Sequence, residues 1–470
     1  MNLLQRELKN FADLCQAGEA VAAQRQRQTL VSSTFAVPDA SVAERVRHLP
    51  NQTGRTFVWA SSWTGERRLA VGMALDLIGQ GVNRFDQVSA SWTECRDGAL
   101  VDGTGHQPSL VGGFSFLPNS GKRLGGFPDA LMWLPTAQLT ENAGSVPTLT
   151  LNAWIGPRSG YAAAVERAAR AARTITSDSV VRPNRQSCVR SLREIPSPLE
   201  WKLSLQRVLD AIEAGTLDKL VLARQLQATF DGPFAVTPVL ASMVRQHDAG
   251  AVFGVELDNR WFIGSSPECL VQFDGERANS HGLAGSAPRD SDPTRDAQLA
   301  RRLQADRKLV SEHVIVADFV RRTLQKFFRD VRTIGDEPVL KLADIQHRQT
   351  TISATGPTQA VDLLRLAEML HPTPAVGGFP RTQALEWLDT HELFDRGWYA
   401  APIGWTGADG GGEFAVAIRS ATIIDATATL YAGCGIVKGS DPDEEYAESC
   451  AKMQTMRRAL GIADGILVAS

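Results

Sequence analysis

The chain has 470 residues, and 49 Lys+Arg against 52 Asp+Glu leave a net charge of −3. This balance disfavours nucleic-acid binding, which needs clustered positive charge and a basic domain. At 43% hydrophobic and 21% charged, the composition is that of a globular protein with ample apolar surface for a core; at roughly 150 residues per domain the length allows about three domains, fewer if one large sheet assembly is formed.

No apolar run approaches the roughly 18 residues of a membrane helix. Leu4, Leu8, Phe11 and Cys15 recur at helical spacing among charged residues, which predicts an amphipathic surface helix rather than a signal peptide. Short strand-like alternations follow, at residues 56–60 and 112–116, the latter beside a turn at 118–121. A strand around 149–154 and an Ala-rich helix over 160–174 come next. The polar stretch 177–198, with scattered Arg and Pro, is the best candidate linker. Trp201, Leu205, Val208 and Ile212 then mark a helix stopped by Gly215, and 217–230 reads as a strand. One long helix is expected over 294–328, and a three-strand meander over 402–437 with turns at 408–412 and near Asp425. A last helix starts at Asp441-Pro442-Asp443-Glu444, and the apolar residues 465–469 are core or tail. The interspersed elements lack a βαβ rhythm, which predicts a mixed, largely antiparallel α+β architecture. Cys15, Cys95, Cys188, Cys269, Cys434 and Cys450 are scattered without a CxxC pair, the pattern of free thiols in a reducing cytoplasm.

Several residues could carry chemistry. Glu445, Glu448 and Lys452 share one face of the last helix, and Glu312 follows Lys308 by four residues on the long middle one. Carboxylates from two helices make a hard-oxygen site suited to Mg²⁺, although acids in a first helical turn are usually solvated. Arg419 lies in Ala415-Val416-Ala417-Ile418-Arg419-Ser420-Ala421, read as a strand whose small residues leave room for a carboxylate on the guanidinium. Ala432-Gly433-Cys434-Gly435-Ile436 permits close backbone approach but is not a dinucleotide fingerprint. Lys219 opens an apolar strand; buried, it would be a general base, although a head in water at the strand mouth is the commoner arrangement. Glu268, after Ser265-Ser266-Pro267, is either in a plain turn or a buried acid. His347 and His371 have no metal spacing and read as candidate core histidines.

In order along the chain, these segments resemble the chorismate-utilising enzymes, the family of isochorismate, salicylate, anthranilate and aminodeoxychorismate synthases. The matching stretches are Asp218 to Arg224, Gly264 to Leu270, Leu283 to Arg289, Glu312-His313, His347 to Ser353, Leu370 to Ala375, Phe394 to Tyr399 and Tyr431 to Lys452. The resemblance spans about 196–462. It implies an anthranilate synthase component I-like fold, two large mostly antiparallel sheets in a sandwich flanked by helices. Residues 196–464 would form the catalytic region, with 1–190 completing the sheets in one body. Implied too are a Mg²⁺ site at Glu312, Glu448 and Glu445, Lys219 as base and Glu268 as acid. Arg419, Tyr399, Gly435, Lys452, Gly285, Ser286 and His347 would line the chorismate site. Ala284 stands where the aminodeoxychorismate-forming members carry a nucleophilic lysine, so a small external nucleophile is implied. The combination is most similar to the isochorismate synthases, isomerases in which water attacks, and the long N-terminal region to the menaquinone-linked ones. Salicylate synthase, an ammonia-using anthranilate synthase subunit and a silent chorismate binder are the rival readings; no amidotransferase partner is expected. Arg348-Gln349 after His347 departs from the family's usual Leu and small residue.

Overall fold

The structure, a computed structural model, describes residues 3–463 apart from 39, 51–52, 104–106, 119–125, 159, 178–186, 248 and 336–338. Most of the expected turn at 118–121, the middle of the expected linker and the segment 465–469 therefore lie outside the described residues. Among the described residues two large sheets dominate, one 13-stranded and one 10-stranded. Pairing is antiparallel nearly throughout; the strand Thr29–Ala36 takes Leu100–Gly103 as a parallel neighbour at one edge.

Both sheets draw strands from both halves of the chain. In the larger sheet Arg55–Ser61 pairs with Ala251–Leu257, and in the smaller one Ser109–Phe114 pairs with Pro402–Gly407. Aromatic residues join the two layers: Phe57 of the larger sheet meets Trp133 of the smaller edge to face, centroids 6.1 Å apart. On the other face of the larger sheet, Phe11 and Cys15 of the helix Leu3–Arg25, Ala168 and Ala172 of Tyr161–Thr176, and Met453 and Met456 of Pro442–Ala459 pack into a second apolar cluster.

Local chemistry places the helix ends where the sequence marks them. Ser197 and Glu200 form a reciprocal capping box at the start of Pro198–Glu213, and the Asp441 side chain accepts from the Asp443 and Glu444 amides ahead of Pro442–Ala459. Four expectations are corrected. The stretch read as a linker contains the strand Val189–Ile195, paired with residues 225–230; its alternation is masked by the exposed Arg190 and Arg193, while Leu192 is buried opposite Ala228. The single long helix is two, Pro293–Ala305 and Arg307–Leu324, because Asp306 leaves helical geometry and caps the second through the Leu309 amide. The meander has four strands: Pro402–Gly407 and Gly412–Val416 lie in the smaller sheet, Ser420–Ile424 and Thr427–Val437 in the larger. Finally, Arg419 is not in a strand. It sits at φ 51° in the crossing from one sheet to the other, a left-handed conformation uncommon for a residue with a Cβ.

Candidate active site

Two of the passages of the chain between the sheets lie side by side, and each carries a candidate residue. Pro267 and Glu268 link Arg260–Ser266 of the larger sheet to Cys269–Phe273 of the smaller; residues 417–419 make the return passage. The crossings are hydrogen-bonded to each other: Val416 N donates to Glu268 O at 3.0 Å, Ser265 N to Arg419 O at 3.1 Å, and Ser266 Oγ to Val416 O at 2.6 Å. A cavity opens beside them, walled by Glu268, Gly285, His347, Tyr399, Arg419 and Gly435, with Glu312, Glu448, Ser286 and Lys452 also on its lining.

Glu268 is 2% exposed and one carboxyl oxygen has no hydrogen-bond partner. Burial drives its proton affinity up to about 8, against the opposing pull of Lys219 and Arg419 and a hydrogen bond from Thr373. At neutral pH it is thus a carboxylic acid, able to donate. Lys219 is wholly buried, not at a wet strand mouth. Its Nζ lies 2.9 Å from Glu312 Oε1. The strand it opens runs antiparallel to Thr427–Val437, with Val221 opposite Gly435 and Ala223 opposite Gly433. A Cβ at Gly435 would collide with the Glu312 carboxylate and lie 3.0 Å from Lys219 Cε, so a side chain here would displace this pair.

Arg419 Nη2 is 2.9 Å from His347 Nε2. A guanidinium only donates, so Nε2 is the acceptor and the imidazole proton sits on Nδ1, facing Ser286 Oγ at 3.0 Å and Gly285 O at 3.4 Å. Burial, then the charges of Arg419 and Lys452, hold His347 well below the usual histidine range, consistent with this neutral form. Gly285 makes the bulge that brings Ser286 opposite His347, at φ 76°. Tyr399 stacks on Tyr431 with centroids 5.0 Å apart, and burial raises its hydroxyl to about 12, so it stays protonated.

The acidic residues divide. Glu445 and Glu448 each offer an oxygen within a 4.8 Å cluster whose third member is Cys434, not Glu312. The Cys434 thiol donates to Glu445 O at 3.1 Å and burial raises it well above its ordinary range, so it is a packing thiol. Lys308 Nζ lies 3.0 Å from Glu445 Oε1, and Lys452 Nζ lies 2.6 Å from Glu448 Oε1 and 3.0 Å from Gly433 O. Burial and the Glu448 charge raise Glu445; burial also pushes Glu448 up, but Lys452 and Arg419 bring it below the usual carboxylate range. Two adjacent carboxylates with a third on the same cavity suit a hard divalent cation, which takes few protein ligands.

His371 is outside the cavity: its Nε2 meets Phe116 O at 3.0 Å between aromatic rings, a satisfied core histidine. Arg348 points away too, donating to Gln304 O at 2.8 Å, so the departure beside His347 leaves the contacts of that imidazole intact. Thr373, two residues beyond His371, stands in no pattern that names a partner, and the spacing of Lys308 pointed to Glu312 four residues on; only the fold brings Thr373 to Glu268 and Lys308 to Glu445. All six cysteines are free, and among the described residues no helix is long and apolar enough to cross a membrane.

Comparison with known proteins identifies the family. The family model described as chorismate binding enzyme matches residues 14–461. The salicylate biosynthesis isochorismate synthase of Pseudomonas aeruginosa is 34% identical over 84% of this chain and 83% of its own. Isochorismate synthase MenF of Bacillus subtilis is 34% identical over 87% and 88% respectively. In fold, the chain superposes on MenF from Escherichia coli with a TM-score of 0.77 at 24% identity, over 95% of this chain and 99% of that one. Anthranilate synthase component I from Streptococcus pneumoniae gives 0.67 at 16% identity, over 83% and 92%. The chain is an enzyme of the chorismate-binding family.

Proposed function

We propose that the protein is an isochorismate synthase, a Mg²⁺-dependent isomerase of chorismate. The observation that carries this reading is the buried Glu268, its proton affinity raised by burial, on the same cavity as Arg419 and Tyr399, with Ala284 presenting no nucleophile at its own position on the wall. Water is then the attacking group. Its oxygen bonds to C2 of the ring as Lys219 takes its proton; the ring double bonds shift and the C4–O bond breaks, with Glu268 giving its proton to the departing hydroxyl. One water enters and one leaves, so the product is an isomer.

Glu312, Glu445 and Glu448 would hold the Mg²⁺, which when bound supplies charge to polarise the ring carboxylate. In the protein alone the Lys219 Nζ and a Glu312 carboxylate oxygen are paired at 2.9 Å, and a metal held by Glu312 would draw that carboxylate away from Lys219. Arg419 and Tyr399 grip the enolpyruvyl carboxylate, and the neutral His347 orients the Arg419 fork. The similarity to MenF supports menaquinone biosynthesis as the destination of the product, while the Pseudomonas relative carries a salicylate name. Chromatography of the products from chorismate and Mg²⁺ without ammonium tests the reading. Isochorismate alone is expected; salicylate with pyruvate, or product only when ammonium is added, would overturn it.

A further inference from the structure

The strand Lys219–Phe230 has a gap along one edge, just where it walls the cavity. Gly378–Phe379 covers Lys219 and Leu220, and Val189–Ile195 pairs from Gln225 onward. Between these two, the Val221 amide donates to Gly377 O at 2.9 Å and side chains take the ladder groups that follow. Arg396 Nη2 donates to Val221 O at 2.7 Å, and Glu392 Oε1 accepts from Ala223 N at 3.1 Å. The two side chains are themselves joined: Arg396 Nε and Nη2 donate to the two Glu392 oxygens, each at 2.7 Å. Arg396 Nη1 donates to Val376 O, also at 2.7 Å. A donor and an acceptor on one planar ion pair thus stand in for the missing strand's peptide groups.

The segments joined in this way are parts of the site. Val221, Val376 and Tyr399 all line the cavity, and the Tyr399 amide donates to Arg396 O at 2.9 Å. Arg396 is 3% exposed, its guanidinium carbon 4.3 Å from the Phe116 ring centroid and 6.0 Å from that of Tyr399. Stability alone does not account for such a pair, since a well-packed apolar pair of similar volume is often as stable. What the fork provides, and apolar side chains do not, is a fixed separation between three chain segments.

We propose that Arg396 and Glu392 are positioning residues for the substrate cavity. They set the Val221 and Val376 walls and the Tyr399 turn at the spacing a dicarboxylate ring requires, and neither touches the substrate. This rests on the function proposed above, and the effect falls on substrate binding because the clamped segments do not carry Glu268, while Lys219 at the start of the clamped strand is held separately by its own pairing with Phe379 and Val437.

The test compares Arg396→Lys, which keeps the charge but loses the fork, with the neutral double variant Glu392→Gln/Arg396→Met. Steady-state kinetics on chorismate with saturating Mg²⁺ should show KM raised about tenfold or more and kcat within about threefold, with the alkaline limb of the pH profile unmoved. Folded variants with wild-type KM would overturn the proposal, as would an equal fall in kcat with KM unchanged. Failure of both variants to fold would overturn it too, by assigning the pair to folding. Product identity in the wild type is read separately, so a different product from chorismate would refute the proposed activity while leaving the variant-to-wild-type ratios to judge the clamp.

Discussion

Lys219 Nζ faces Glu312 Oε1 at 2.9 Å, so the proposed base and a proposed metal ligand are partners in the protein alone. Around them Glu312, Glu445 and Glu448 face Lys219, Lys308 and Lys452, and Arg419 on the same cavity adds one further positive charge, with Glu268 held neutral. A dication and a dianionic substrate therefore enter such a site most readily together.

Linked binding follows from that balance. Titration calorimetry should show Mg²⁺ affinity raised about tenfold or more by chorismate, within the usual range of coupling between sites. Equal Mg²⁺ affinity with and without chorismate would refute the charge argument, and conversion by EDTA-treated protein would refute the metal requirement.

Substituting the acid–base pair should act on the chemical step. Lys219→Ala and Glu268→Gln should each lower kcat by about 10² to 10⁴, with folding checked by circular dichroism. Near-wild-type turnover in either variant would withdraw that residue's role.

The raised Glu268 group gives a signed pH dependence. Activity should fall as pH rises past about 8, because the acid loses the proton it must donate. For stability, the unfolded chain ionises this carboxyl near pH 4.5 while the folded protein keeps it protonated to about 8, so Glu268 weakens folding increasingly across that window. Glu268→Gln should therefore melt higher than wild type at pH 8, with the difference shrinking towards pH 5. A constant difference between those pH values is the contrary result.

Arg419 and His347 should act on substrate affinity. His347→Phe removes the acceptor 2.9 Å from Arg419 Nη2 and should raise KM for chorismate about tenfold, roughly the 1–3 kcal/mol of an unsatisfied buried donor. Unchanged KM would mean that Arg419 is oriented without it.

Much of the local structure was legible in the chain. The capping chemistry at Ser197 and Asp441 fixed helix starts, the six cysteines read correctly as unpaired, and the α+β class and family followed from ordered motifs. The break at Asp306 is local capping chemistry, but the other errors fell where a partner far along the chain decides the outcome. Val189–Ile195 looks like a linker until Gln225 and its neighbours pair with it, and residues 415–421 look like one strand until their two ends join different sheets.

The sequence by itself determined which reactive groups are present and in what order, because residue identity and short-range spacing set motif and cap. Tertiary structure alone decided their chemical state. Burial is a property of packed neighbours, so only the fold removes Lys219 and Glu268 from water. Only the inter-sheet crossings bring Glu268 and Arg419 side by side, 151 positions of chain apart by their numbering, and only long-range contacts assign Glu312 to Lys219 while Glu445 and Glu448 keep each other's company.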